Sequence, residues 1–131
     1  MYDVMILAPP LAEVTLDRAR SALQNYFARK SLAPTVAVAN GQLQVDFSGY
    51  LFRVIANSEP YVKLESQEIA DIFAADRDDR EVIASCSARY AVLAPDDPAM
   101  DHFNDFLYLL HAFEAAYNGA VAFDSVSGNF L

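Results

Sequence analysis

The residues best suited to chemistry in this sequence lie between positions 96 and 105, where four aspartates surround one histidine. On a helix, Asp101 and Asp105 share a face because they are four positions apart, and His102 lies beside Asp105 because they are three apart. Carboxylates in this arrangement are typical ligands of Mg²⁺ or Ca²⁺, and an added imidazole suits a transition metal. Since no recognised metal motif accompanies them, we expect no metal ion. Asp97 is interpreted as a helix cap, with Asp101 complementing the helix dipole.

A second group of polar residues follows on the same predicted helix. Asn104, Tyr108 and His111 are four and three positions apart, so they form one stripe beside the apolar face. An amide, a phenol and an imidazole together are able to bind a small polar ligand or to transfer protons near neutral pH. The alternative is that they are boundary residues whose hydrogen bonds are made within the protein. We favour that alternative, because the sequence indicates no convergent pocket around them.

The remaining motifs favour a protein without catalytic activity. Cys86 follows Val82 and Ile83 at helical spacing in an acidic part of the chain, which indicates a buried structural thiol with a raised pKa. The turn at residues 8–11 lacks the glycine that a phosphate-binding loop needs. The chain also lacks a Gly-x-Ser-x-Gly elbow and a His-Glu-x-x-His pair. We therefore expect no cofactor.

Length and composition favour one globular domain covering residues 1–131. The chain is 54% hydrophobic, which is ample for a core. Its formal net charge of -9 would repel a polyanion, so nucleic acid is excluded as an expected partner. No apolar run approaches the ~20 residues that span a bilayer, and the start of the chain is not typical of a secretory signal. We expect a soluble cytoplasmic protein with no membrane partner.

The first half of the chain predicts a strand, a helix and a three-stranded meander. The apolar run at residues 4–8 is typical of a central strand buried on both faces. Thr15 is the predicted cap of an amphipathic helix that ends near Lys30. Strands over residues 35–39 and 42–47 are joined by Asn40-Gly41, the sequence preferred in type I′ turns. A third strand follows at residues 50–55.

The second half predicts two more helical regions and two strands. Ser66 is a candidate cap for a helix whose apolar face is Ile69, Ile72 and Phe73, and a short helix near residues 79–85 would place Val82, Ile83 and Cys86 inward. A strand is expected at residues 89–93. Asp97 and Pro98 predict the start of a long helix, residues 98–117. A final strand covers residues 120–123, and the tail turns back through Phe130.

These elements predict the α+β class, in the order β-α-β-β-β-α-β-α-β. We expect a mixed, mostly antiparallel sheet of about five to six strands, with helices packed mainly on one face. The first strand–helix–strand step is expected to be a right-handed parallel crossover.

Charge and aromatic content favour a protein-binding function. Residues 1–58 carry a net charge of +1, and residues 59–131 carry a net charge of -10. We expect an acidic face, formed by residues 62–86 with Asp96, Asp97, Asp101 and Asp105. This face is expected to bind another protein, preferably a basic one. The same acids also suit a purely solubilising surface. Tyrosines 2, 61, 90 and 108 are the aromatic residues harder to place in a core, and tyrosine is common at interfaces. The alternative is that each hydroxyl reaches the surface past a buried ring.

Two other functions are kept as alternatives. The first is a small enzyme, or a small-ligand or metal-binding protein, that uses the polar face of the helix over residues 98–117, with His102, Asp105, Asn104 and His111. The second is a homodimer formed through an exposed strand edge, for instance that of the closing strand at residues 120–124.

Overall fold

The computed structural model describes residues 2–131 and contains one seven-stranded sheet. Its strands are β1 (Tyr2–Ala8), β2 (Thr35–Ala39), β3 (Gln42–Phe47), β4 (Tyr50–Asn57), β5 (Ala88–Ala94), β6 (Val121–Asp124) and β7 (Asn129–Phe130). The helices are α1 (Leu16–Arg29), α2 (Pro60–Phe73), α3 (Arg80–Ala84) and α4 (Phe103–Ala116). The predicted α+β class is confirmed, with one strand more than the upper expectation because the tail forms the short strand β7.

The strand order across the sheet is β2-β3-β4-β5-β1-β6-β7. Each pairing between described strands is antiparallel, so the sheet is not mixed. β1 and β2 run in the same direction, as expected for the first crossover, but β3, β4 and β5 lie between them. The crossover through α1 therefore joins distant strands, and the parallel ladder that would make the sheet mixed does not form.

The central position of β1 is confirmed, and it explains why helices are needed on both faces. Val4 and Ile6 point into the larger core, which α1 and α4 cover. Leu7 points the other way, into a smaller cluster with Ile69 of α2 and Ile83 of α3. Both sets are buried, so each face of β1 removes apolar surface from water. The expectation of helices mainly on one face is corrected to two helices on each face.

Local signals predicted several elements correctly. The Thr15 hydroxyl caps α1 by accepting a hydrogen bond from the Arg18 N–H at 3.1 Å. Asn40 and Gly41 have φ values of 55° and 72°, as a type I′ turn requires, so the hairpin of β2 and β3 is confirmed. The third meander strand is present as β4.

The starts of two helices differ from the prediction. α2 begins at Pro60, so Ser66 lies inside the helix and is buried instead of capping it. α4 begins at Phe103, five residues after Pro98, because Met100 adopts a left-handed φ of 57° that a helix does not allow. Val82 is 41% exposed, so only Ile83 and Cys86 of the predicted inward set are buried.

The two edges of the sheet are unequal. β6 is not an edge, because it pairs with β1 on one side and with β7 on the other. The closing strand therefore does not offer the free edge expected for it. One edge is instead the two-residue β7, and the other is the five-residue β2. Within residues 2–131, no helix is both long and apolar enough to cross a membrane.

Candidate functional site

A cavity of about 320 Å³ lies beside the start of α4 and brings three predicted site residues together. Asp101, His102 and Asp105 line one side of it. The other side is formed by the segment between α1 and β2 and by the β3–β4 turn, with these lining residues: Leu32, Ala33, Pro34, Phe47 and Ser48. The cavity thus combines an acidic wall with a mostly apolar one.

His102 is held in a fixed orientation at this cavity. Its Nδ1 lies 3.0 Å from Oδ2 of Asp105, and its ring stacks on Tyr50 with a centroid distance of 4.0 Å and an interplanar angle of 6°. Both members of the His102–Asp105 pair are about a quarter to a third exposed. When Nδ1 carries the proton that Asp105 accepts, Nε2 has a free lone pair and is able to act as a base.

Asp97 stabilises the turn that carries His102. Its carboxylate accepts hydrogen bonds from the backbone N–H groups of Asp101 and His102 at 3.0 and 2.9 Å, and from the Tyr2 hydroxyl at 2.8 Å. Desolvation alone would raise the pKa of Asp97, but these hydrogen bonds outweigh it and lower the pKa below its ordinary value. Asp97 therefore accepts hydrogen bonds from backbone N–H groups, as expected of a cap. These groups belong to the turn before α4 and not to the first turn of the helix itself.

The cavity has the elements of a proton-transfer site but lacks those of a metal or nucleophile site. Within the described residues, no group of three or more His, Cys, Asp or Glu side chains has the geometry to hold a metal ion. Ser48 lines the same cavity, and its hydroxyl is not hydrogen-bonded to His102 in the part of the chain that the structure describes. What the arrangement offers chemically is one oriented imidazole beside carboxylates.

The second predicted stripe lies outside this cavity. Asn104, Tyr108 and His111 are exposed on the solvent face of α4, and none of the three lines the cavity that holds His102. The structure therefore separates the six candidate residues into two groups. Three line a cavity, and three form an open surface.

A feature that the sequence analysis missed is the apolar outer face of α2. Tyr61, Leu64, Glu68 and Ile72 are spaced by three, four and four residues, so they form one line along the helix, which we call the α2 stripe. Leu64 is 63% exposed, Ile72 68% and Tyr61 46%. The opposite face of the same helix is already buried against the sheet through Val62, Ile69 and other residues. Within residues 2–131, α2 thus has one buried apolar face and an outer face on which Leu64 and Ile72 are mostly exposed.

Polar contacts beneath α2 hold this stripe in a defined position. Arg89 of β5 is only 8% exposed, and its Nη1 donates to Oε2 of Glu65 at 2.8 Å. Its guanidinium carbon also lies 6.0 Å from the centre of the Tyr61 ring. Nδ2 of Asn57 donates to the Tyr61 hydroxyl at 2.6 Å. The first turns of α2 are thus fixed to the ends of β4 and β5.

The acidic residues do not form one continuous face. Those of α2 and α3 lie on the side of the sheet that carries the smaller cluster. Asp97, Asp101 and Asp105 lie at the end of the opposite side, which α1 and α4 cover. The sheet therefore separates these two acidic groups.

Cys86 is the buried thiol that the sequence indicated. It is 2% exposed, and its Sγ donates to the carbonyl oxygen of Val82 at 3.3 Å. Burial raises the pKa of the thiol to about 11. At neutral pH the group is a neutral thiol, which is a poor nucleophile.

The chain matches no protein-family model, no curated protein and no solved structure.

Sequence reasoning singles out Tyr2 and Tyr61 as interface candidates, but it does not find Tyr50 beside His102 or the exposed Leu64 and Ile72 of the α2 stripe. Tyr50 reaches His102 only through the pairing of β4 with β5, for which the local sequence carries no signal. The start of α2 was detectable, since a proline such as Pro60 is typical of the first helical position. Placing the helix start there would have put Leu64 and Ile72 on its outer face.

Proposed function

We propose that this protein binds another protein through the outer surface of α2 and α3. The observation that carries the proposal is the α2 stripe, because it leaves two large aliphatic side chains, Leu64 and Ile72, mostly in water. Burying one such side chain fully contributes about 1.5–3 kcal/mol. Large exposed apolar side chains on one helix face with a polar surround are typical of protein interfaces.

Charge indicates the chemistry of the partner. Residues 59–86 contain eight acidic and three basic residues, a net charge of -5. Arg77 and Arg80 are engaged within the segment by Asp79 and Asp71, each at 2.8 Å. The acids that remain favour a partner with basic residues around an apolar centre, as an amphipathic basic helix provides. We place this function in the cytoplasm and assign the protein no catalytic role in it.

The test compares two baits in capture from a native extract. One carries Leu64→Asp and Ile72→Asp, and the control carries Tyr108→Asp on the outer face of α4. Both sets change exposed residues, so thermal melting should show folded proteins. The partner of the wild-type chain should be lost with the first bait and retained with the control.

The sign of the added charge makes this comparison decisive. Both baits become more acidic, so a protein held by charge alone would bind the altered α2 at least as tightly as the wild type. Loss of binding therefore reports apolar contact. If every captured protein binds the altered α2 bait as well as the wild type, the proposal is wrong.

The cavity at His102 supports a second candidate function, the binding of a small molecule with proton transfer by the imidazole. The oriented His102–Asp105 pair is the observation in its favour. A screen for ligands that raise the melting temperature tests it, since a ligand that binds only the folded chain must do so. The ligand-induced increase in melting temperature should disappear in His102→Gln and persist in His111→Gln. Shifts that survive His102→Gln would rule out this cavity.

A further inference from the structure

The free edge of β2 differs from the protected edges usual in sheets. Natural edge strands are shielded by charges, prolines, bulges or shortness. Opposite β2, the strand β7 is protected because it has only two residues. β2 has five residues, Thr-Val-Ala-Val-Ala, with no charge and no proline, and it pairs regularly with β3 along its whole length. It is therefore open to pairing by another strand.

The hairpin determines which groups of β2 point outward. The two-residue turn closes on the hydrogen-bonded pair Ala39–Gln42, and such pairs alternate along an antiparallel ladder. Ala37 and Thr35 therefore direct their N–H and C=O groups toward β3. Val36 and Val38 direct theirs outward.

We propose that β2 pairs with β2 of a second copy of this chain, antiparallel and around a twofold axis at Ala37. In this register, Val36 of one copy faces Val38 of the other, and the outward groups of both form four hydrogen bonds. Ala37 faces Ala37 of the other copy. The strand is self-complementary, as a twofold interface requires. This inference is independent of the function proposed for α2.

Side chains favour the same arrangement. Val36 packs against the larger core, and Val38, which pairs with Leu43 of that core, is 40% exposed. The twofold register places a valine of the second copy against it, which continues the apolar layer from one copy into the next. Cross-strand pairs of β-branched residues stabilise sheets.

Charge distribution explains why a second copy is a suitable occupant. Each chain carries a net charge of -9, which opposes self-association. β2 lies in the half of the sequence with a net charge of +1, whereas α2, α3 and α4 belong to the half with -10. Pairing at β2 keeps the acidic helices α2 and α3 of the two copies apart, because they pack against β1 and β6.

Sedimentation equilibrium over a dilution series tests the assembly. The mass should approach twice 14.4 kDa at high concentration. Ala37→Lys should weaken dimerisation by about fivefold, because it places like charges opposite one another at the axis. Gln44→Lys is the matched control, since it adds the same charge on the same face of the neighbouring strand β3. A mass of 14.4 kDa at every concentration would overturn the proposal.

Disulfide trapping tests the register. Facing residues of a non-hydrogen-bonded pair have Cα atoms about 4.5 Å apart, within the range for a disulfide. Ala37→Cys should therefore form a covalent dimer under mild oxidation, and the native Cys86 should not react because it is buried. Thr35→Cys is the control, because the Cα atoms of that position in the two copies would be about 14 Å apart. Equal trapping of both variants would contradict the register.

Discussion

The hydroxyl oxygens of Tyr90 and Tyr117 lie 2.5 Å apart at the buried end of the larger core. Tyr90 donates to the carbonyl oxygen of Thr15 at 2.7 Å and accepts from its N–H at 3.0 Å. Because the Tyr90 proton goes to Thr15, the single Tyr117 proton is shared between the Tyr90 oxygen and the carbonyl oxygen of Glu13, which lies 3.1 Å from the Tyr117 oxygen. The two phenols thus attach the segment before α1 to β5 and α4. Desolvation is the main reason why the pKa of each phenol is raised.

Tyr90→Phe should destabilise the protein more than Tyr117→Phe. The first change removes both bonds to Thr15, the capping residue of α1, and should cost about 1–2 kcal/mol. The second removes the single proton that Tyr117 shares between Tyr90 and Glu13 and should cost about 1 kcal/mol. The free energy of unfolding in urea measures both. Equal costs, or the reverse order, would contradict the assignment of the Thr15 bonds to Tyr90.

Tyr90 also shows where sequence reasoning about function went wrong. The sequence predicts it, with Tyr2, Tyr61 and Tyr108, as an interface candidate, yet it is completely buried. A tyrosine hydroxyl is accepted in a core when backbone groups satisfy it. Here those groups come from Thr15, which is distant in sequence, so the strand containing Tyr90 gave no sign of them.

The correctly predicted features depend on residues within one turn of each other. The Thr15 cap and the Asn40-Gly41 turn are examples, because each is fixed by a few neighbouring residues. The predicted start of α4 used a similarly local signal but was wrong, since Met100 interrupts the helix. The site at His102 was only partly predictable. The three-residue spacing of His102 and Asp105 is visible in the sequence. The stacking of His102 on Tyr50 depends instead on how the strands pair in the sheet.

Stability should fall in alkaline solution through Cys86. Burial raises the pKa of this thiol from 9.0 to about 11, so the folded protein retains the proton where the unfolded chain loses it. The resulting loss of stability is absent below pH 9 and grows as the pH rises to about 11.

Cys86→Ala isolates this effect from the titrating tyrosines. The cost of the cavity left by this variant does not depend on pH, so its difference in unfolding free energy from the wild type should narrow by roughly 1–2 kcal/mol between pH 9 and 11. A difference that stays constant over this interval would show that the thiol titrates normally in the folded protein.

Gly128 and Gly41 form a matched pair for testing the contact between the β6–β7 turn and α2. Their φ values are +73° and +72°, but only at Gly128 would an added Cβ meet a neighbour, the Phe73 ring at 2.9 Å. Gly41→Ala should cost about 1 kcal/mol from backbone strain alone. Gly128→Ala should cost about 1 kcal/mol more.

A double-mutant cycle identifies the source of this extra cost. In a Phe73→Ala background, Gly128→Ala should cost no more than Gly41→Ala, because the clashing ring is gone. Persistence of the extra cost in that background would rule out Phe73 as its cause.

Asp97 should contribute to acid stability. Its pKa is lowered despite desolvation, because the backbone of His102 and Asp101 and the Tyr2 hydroxyl bond its charged form. A lowered pKa gives stability that is present above the ordinary value of 3.8 and is lost as the pH falls through the folded value. In Asp97→Asn, the free energy of unfolding, measured in urea, should therefore depend less on pH below 4. Asp101→Asn is the matched control, since it removes a carboxylate from the same turn but leaves the three hydrogen bonds to Asp97 in place.

The contact of Glu65 with Arg89 should be the main polar attachment of α2. Glu65→Ala leaves the nearly buried Arg89 guanidinium without its 2.8 Å carboxylate partner, and it should cost roughly 1–3 kcal/mol. Glu68→Ala lies on the solvent face of the same helix and should change stability by less than about 0.5 kcal/mol. Arg89→Met in the Glu65→Ala background should recover part of the loss, since the unpaired charge is removed and the apolar stem is kept. If the two alanine variants prove equally stable, the Arg89 contact does not hold α2, and the stripe with Leu64 and Ile72 would lack the rigid support that binding requires.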